Sequence, residues 1–258
     1  MIVVGERING QFPNVSRAID ARDAKFVQDL AVEQVSAGAH LLDVNTGPGR
    51  DDGPEAMAWL VKTIQDISDV RLCIDSPGLK TQQAGLSLCK REPMINSTTA
   101  EQKRTEKFMP LAKEHNAEIV CLTIDEKGIP NSVEGRSEIA MMLLATAMEH
   151  GVEPSKLYLD PVVLPISAAQ AQCPMLGEAL TAFKTLNDPP PKTIVGLSNV
   201  SSGAEERSLL NRTYLAMLLG RGLDAAIVDP NDPELMKVVK ASEILLNQKL
   251  YAASFLRA

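Results

Sequence analysis

The chain has 258 residues, 45% of them apolar and 3% aromatic, with a formal net charge of −7. The acidic balance, the lack of any basic run and the scarcity of aromatics exclude a nucleic-acid partner. No charged-then-apolar N-terminal leader and no apolar run of ~18 residues is present, so the expectation is a soluble, cytoplasmic protein with no membrane contact.

Short apolar runs recur along the whole chain, at Ile2–Gly5, His40–Val44, Arg71–Asp75, Pro93–Asn96, Glu118–Thr123, Leu157–Pro161, Thr193–Leu197 and Asp224–Val228. Their starts fall 22 to 39 residues apart, which leaves room for one helix and two loops each time. The runs read as apolar throughout, as parallel strands covered on both faces should. Between the first two, Asp23 is a candidate N-cap for a helix over Ala24–Ala37, with Val27, Leu30, Ala31 and Val35 on one face and Gly38 as the stop. Ala100–Glu114, Ser137–His150 and Ser208–Leu219 are helical in the same way. The Met-rich stripe of Ser137–His150 reads as packing against a barrel. The segment NDPPPK at 187–192 reads as a stiff turn into the seventh strand, not a domain linker.

Eight β/α units over residues 1–258 predict an α/β fold of one domain, a single (β/α)8 TIM barrel, the length of which is typically ~250 residues. An open doubly wound sheet would need a Gly-rich phosphate turn after its first strand. Here that stretch is GERING (5–10), which lacks the third glycine and carries a charged pair.

In such a barrel the C-terminal strand ends build the active site. Those ends carry Glu6, Asp43 with Asn45, Asp75, Asn96, Thr123 with Asp125, Asp160, Ser198 with Asn199, and Asp229. The three histidines fall elsewhere: His40 starts a strand, and His115 and His150 end helices, so all three belong at the opposite rim. The four cysteines, Cys73, Cys89, Cys121 and Cys173, have no ligand-like spacing and read as buried apolar residues; no bound metal is expected. A rim of carboxylates and amides suits a flat, nitrogen-rich ring. Each carboxylate can accept two adjacent N–H donors of a 2-amino-4-oxo pyrimidine edge, and an amide such as Asn96 can meet a donor and an acceptor together.

The motifs GERING (5–10), DVNTGPG (43–49), CIDS (73–76), INST (95–98), LYLDP (157–161) and GLSNVS (196–201), followed by Arg207, resemble the methyltetrahydrofolate:corrinoid protein methyltransferases of the pterin-binding TIM-barrel superfamily. The resemblance runs nearly end to end and includes NRTYLAM (211–217), GLDAAIVDP (222–230) and EILLNQ (243–248). It implies that Asp75, Asn96 and Asp160 hold the pterin ring of methyltetrahydrofolate or tetrahydrofolate. It further implies that Asp43, Gly196 and Ser198 line the same pocket, that Asn199 sits near the methyl-bearing nitrogen, and that Arg207 lies near the ligand, where it could meet the glutamate tail. An amide cannot release a proton at neutral pH but can hydrogen-bond a nitrogen that gains electron density, so the role expected of Asn199 is electrostatic, the proton coming from water or a relay. No Asp-x-His-x-x-Gly corrinoid-binding stretch surrounds any histidine, so the corrinoid is expected on a separate partner protein; the family further implies a homodimer. Segments 202–206 and 229–233 lie where that partner would dock. The direction of methyl transfer stays open. Two alternatives remain: a dihydropteroate synthase-like enzyme, against which the lack of Lys or Arg between Leu197 and Arg207 counts, and a non-catalytic folate-binding subunit. A phosphate-sugar barrel would need a Gly-rich anion site after the last two strands, where the chain instead carries Asp229-Pro230-Asn231-Asp232.

Overall fold

A computed structural model describes residues 1–252 and 254. Its elements run β1 (Ile2–Asn9), α1 (Pro13–Ala21), α2 (Ala24–Ser36), β2 (Leu41–Asn45), α3 (Gly53–Gln65), β3 (Arg71–Asp75), α4 (Leu79–Leu86), β4 (Met94–Thr98), α5 (Gln102–Glu114), β5 (Glu118–Leu122), α6 (Val133–Glu149), β6 (Leu157–Asp160), α7 (Ile166–Ala169), α8 (Gln172–Phe183), β7 (Lys192–Gly196), α9 (Arg207–Leu219), β8 (Ala225–Val228) and α10 (Pro233–Leu245). All eight expected strands form, every neighbouring pair is parallel, and β8 returns to β1 to close the barrel. Among the described residues no helix is long and apolar enough to cross a membrane.

The interior is layered. One residue from each strand, Val4, Leu41, Cys73, Met94, Val120, Tyr158, Ile194 and Ala225, packs into a single buried apolar layer. Two larger clusters lie between the strands and the helices outside them. Side chains two positions along a strand return to the same face, so the polar residues one step either side of the apolar layer also point inward. The expectation of strands apolar throughout is corrected in this respect: only the outward faces and the middle layer are apolar. Below that layer Glu118 accepts from Arg71 Nη2 at 2.6 Å, from Lys192 Nζ at 2.8 Å and from the Tyr158 hydroxyl at 3.1 Å. Burial alone would raise the Glu118 carboxyl, but the hydrogen bonds from Lys192 and Arg71 hold it below the usual range. This charged group closes the bottom of the barrel.

Helix details agree in part. Asp23 caps α2 by accepting from Phe26 N at 3.1 Å, and Val27 and Ala31 are buried. Val35, however, is exposed, and buried Gln34 holds the inner position, its Oε1 accepting from Arg7 N at 2.9 Å. The helix is aimed at a polar step in β1, which rotates the stripe by one residue. The Met stripe of α6 is a second correction: Met141, Met142 and Met148 are exposed, and Ile139, Leu143 and Ala147 pack instead.

Candidate active site

Strand register creates the site. Pairing of Asn45 with Asp75, and of Asp75 with Asn96, lines up the C-terminal ends of β2, β3 and β4. Asn45 Nδ2 donates to Asp75 Oδ2 at 2.6 Å, and Asn96 Nδ2 donates to Asp43 Oδ1 at 3.0 Å. Asp43 and Asp75 are themselves hydrogen-bonded. Burial first, then the negative charge of Asp75, pushes the Asp43 carboxyl well above the usual range, which favours its protonated form in the bond to Asp75. Burial lifts Asp75 to about 6, against the bonds it accepts from Asn45 and Asp43. The Gln82 amide of α4 sits beneath, donating to the carbonyls of Ile74 at 2.8 Å, Asn96 at 2.9 Å and Ser76 at 3.1 Å. It thereby fixes the ends of β3 and β4. A cavity of about 420 Å³ opens beside this cluster, with Asn45, Asp75, Ser76 and Thr81 in its wall.

The second arc comes from β6, β7 and β1. Buried Asp160 accepts from Val162 N at 2.7 Å and from the backbone of Gly196, and burial still lifts its carboxyl to about 7. After Gly196 the chain makes a 3-10 turn, Leu197–Asn199. A Cβ added at Gly196 would stand 3.0 Å from Asn199 Nδ2, so the exposed Asn199 amide lies close against the bare backbone of Gly196. Ser198 Oγ donates to Glu6 Oε1 at 2.8 Å. Arg207 opens α9 and leans back over the turn, its Nε donating to Ser201 Oγ at 3.2 Å and its Nη2 to the Ser198 carbonyl at 3.4 Å. Burial raises Glu6 to about 7, lowered by the Ser198 bond and raised by the charge of Asp229, which Arg7 approaches at 3.6 Å.

All eight predicted site residues therefore lie at one barrel mouth, but in two hydrogen-bonded arcs. Asp43, Asp75 and Asn96 form one; Asp160, Gly196, Ser198, Asn199 and Arg207 form the other. Asp160, expected to share pterin recognition with Asp75 and Asn96, is hydrogen-bonded to the backbone of the second arc. Glu6 and Asn45 were recognised as strand-end residues without being given roles. Asn45 follows Asp43 by two positions and so faces the same way, a signal the sequence does contain. Glu6 lies within β1, which runs four residues past the expected end at Gly5, with its register shifting between Gly5 and Ile8. Nothing in the sequence singles out Gln82. His40 stands at the far rim, where its Nδ1 accepts from Val3 N at 3.0 Å. Cys73 and Cys121 are buried, and burial raises both thiols. Among the described residues, no three His, Cys, Asp or Glu side chains gather as a metal ion would require.

Comparison with known proteins gives a consistent picture. The family described as pterin binding enzyme matches residues 5–229. A methylcorrinoid:tetrahydrofolate methyltransferase of Eubacterium limosum is 30% identical over 260 residues, covering 100% of this chain and 96% of its own. The methionine synthase of Mycobacterium leprae is 33% identical over 240 residues, which is 88% of this chain but 20% of the synthase. Among solved structures, the dihydropteroate synthase of Yersinia pestis superposes with a TM-score of 0.69 at 15% identity, covering 95% of this chain and 93% of that one. The Thermus thermophilus enzyme in complex with 6HMPPP gives 0.68 at 16%, covering 97% and 94%. At such identities the synthases share the fold and nothing finer.

Proposed function

Because the chain belongs to the pterin-binding enzyme family, we propose that it transfers a methyl group between 5-methyltetrahydrofolate and the reduced cobalt of a corrinoid carried by a separate protein. The observation that carries this reading is the composition of the mouth: carboxyls and amides converge there, with a carboxamide exposed on the turn after β7. In this reading Asp75, Asn96 and Asp160 take the N–H-rich edge of the pterin, and Asp43 and Asn45 hold Asp75 and Asn96 in place. Burial adds selectivity, since a ring lacking that edge would leave desolvated carboxyls unpaired.

The methyl is a poor electrophile because its leaving group is an amine. As the C–N bond breaks, electron density collects on the pterin nitrogen, and only an interaction that strengthens at that moment speeds the step. Asn199 is assigned that interaction: its amide donates to the nitrogen, supported against Gly196. The corrinoid supplies the nucleophile, or in the reverse direction the methyl. Arg207, exposed beside the turn, is assigned to the anionic tail of the folate.

The dihydropteroate synthase reading loses support at the same place. A diphosphate leaving group needs cations, yet the turn is Leu197-Ser198-Asn199, Arg7 lies near Asp229, and Arg207 is held by Ser201 and Ser198. The reading extends to a cytoplasmic homodimer. Exposed Met141, Met142, Leu209 and Met217 on outer helices support self-association, and sedimentation of the purified protein tests it. The activity is tested with 5-methyltetrahydrofolate and free reduced cobalamin, following loss of the reduced-cobalt absorbance. Turnover is the expected result; tight pterin binding with no methyl transfer would make the protein a folate-binding subunit instead.

A further inference from the structure

The proton that methyl transfer consumes has no assigned source. In the folate-to-cobalt direction the N–CH3 bond breaks, the electron pair of cobalt forms the new bond to carbon, and the pair of the broken bond stays on nitrogen, which must take up one proton. Asn199 cannot give one. Four of the mouth carboxyls, each raised by burial, could. The Asp43 proton is already engaged, shared with Asp75 and flanked by the Asn96 amide. Asp75 accepts from Asn45 and faces the pterin edge in the reading above. Asp160 accepts two backbone N–H groups, from Val162 and Gly196, and is taken up by the pterin edge in the reading above. Glu6 is different. It accepts one hydrogen bond, and the donor is Ser198, the residue next to Asn199.

We propose that Glu6 stores the proton for the pterin nitrogen and passes it through the Ser198 hydroxyl. The proposal rests on the methyl-transfer reading. Protonated Glu6 donates to Ser198 Oγ, the hydroxyl turning from its bond to Glu6 toward the nitrogen; the carboxyl proton then moves to Oγ while the hydroxyl proton moves on to the nitrogen, directly or across one water, and Glu6 is left as a carboxylate that solvent reprotonates. In the reverse direction each step runs backwards and the Glu6 carboxylate accepts the proton.

The surroundings suit that task. Glu6 is partly buried on β1, which desolvates its charged form. Around it stand Asp229 after β8, Arg7 on its own strand, Arg207 on α9, and Asp43 on β2, whose carboxyl feels the charge of Glu6. Burial and Asp229 favour the protonated form, while Ser198, Arg7 and Arg207 temper them, which leaves Glu6 at about 7. A proton donor works best when its affinity for the proton matches the working pH, and such a group contributes on the order of a hundredfold or more. The sign differs with direction. Folate-to-cobalt transfer needs protonated Glu6, so its rate falls as pH rises through about 7; cobalt-to-folate transfer needs the carboxylate, so its rate rises over the same interval.

The test is single-turnover methyl transfer between 5-methyltetrahydrofolate and free reduced cobalamin from pH 5 to 9, in wild type, Glu6→Gln, Glu6→Asp and Ser198→Ala, with pterin binding measured by titration calorimetry on each. The expected result is that Glu6→Gln slows transfer on the order of a hundredfold, binds pterin within a few-fold of wild type, and loses the pH dependence near neutrality. Glu6→Asp should restore part of the rate and a pH dependence. Ser198→Ala should slow transfer while keeping binding, and it carries the test if Glu6→Gln does not fold. A Glu6→Gln protein with a wild-type rate and pH profile overturns the relay alone. Failure of wild type itself to transfer methyl overturns the reading beneath it as well.

Discussion

The two ends of this barrel are built from the same alternation of side chains and treat buried acid in opposite ways. At the bottom, Glu118 is held by Arg71, Lys192 and Tyr158, and its carboxyl stays below the usual range. At the top, Glu6, Asp43, Asp75 and Asp160 are desolvated and bonded to amides, hydroxyls, backbone N–H groups and one another, and all four are raised. The bottom satisfies its charge within the protein. The top leaves capacity unused, which is what a ligand rich in N–H donors would fill.

The comparison breaks most visibly at Glu118. Glu118→Ala leaves Arg71 and Lys192 without their shared acceptor, and the expected cost is about 3 kcal/mol in urea unfolding, with pterin affinity unchanged. Asp160→Asn should behave in the reverse way. Pterin binding by calorimetry should weaken on the order of a hundredfold, because a charge-assisted acceptor is lost, while the ligand-free protein becomes more stable at pH 8.

A pH series separates the two ends without mutation. Mouth carboxyls with folded values near 6 to 7, above the ordinary 3.8 and 4.5 of Asp and Glu, favour the folded state at pH below their unfolded values, and that contribution is lost as pH rises through about 7. Glu118 is lowered, so its contribution is present above the ordinary glutamate value of 4.5 and lost as pH falls through its folded value. Ligand-free protein should therefore be most stable at mildly acidic pH and weaken toward pH 8 in urea titrations, and Asp160→Asn should flatten the alkaline side.

The smallest expected effect is local. Gly196→Ala would place a Cβ 3.0 Å from Asn199 Nδ2, and the amide would have to shift by a few tenths of an ångström. Unfolding should change by less than about 1 kcal/mol, within the range of ordinary substitutions, while methyl transfer slows roughly tenfold, since misplacement of a reacting group is costly in rate.

The barrel was legible because each strand announces itself as a short apolar run ending in a polar residue, and the strand-end rule then gathers distant residues such as Asp43 and Asn199 at one mouth. What escaped notice depends on contacts across elements. Glu6 reads as one strand-end residue among many until the fold sets Ser198 against it. Gln82 lies on a helix and acts through three carbonyls of neighbouring strands, which no local pattern encodes. The grouping of Asp160 with Gly196 follows from the packing of β6 beside β7, not from residue type. The bottom cluster was missed for the same reason: Arg71, Glu118 and Lys192 each begin a strand, and only closure of the barrel joins them.

The central claim is that the mouth binds pterin with its carboxyls and acts on it with Asn199. Stopped-flow methyl transfer by Asn199→Ala, with pterin affinity measured on the same protein, tests it most directly. The expected result is a fall in the transfer rate of a hundredfold or more, corresponding to ~3 kcal/mol of lost stabilisation, with pterin still bound. A wild-type rate from Asn199→Ala would contradict it.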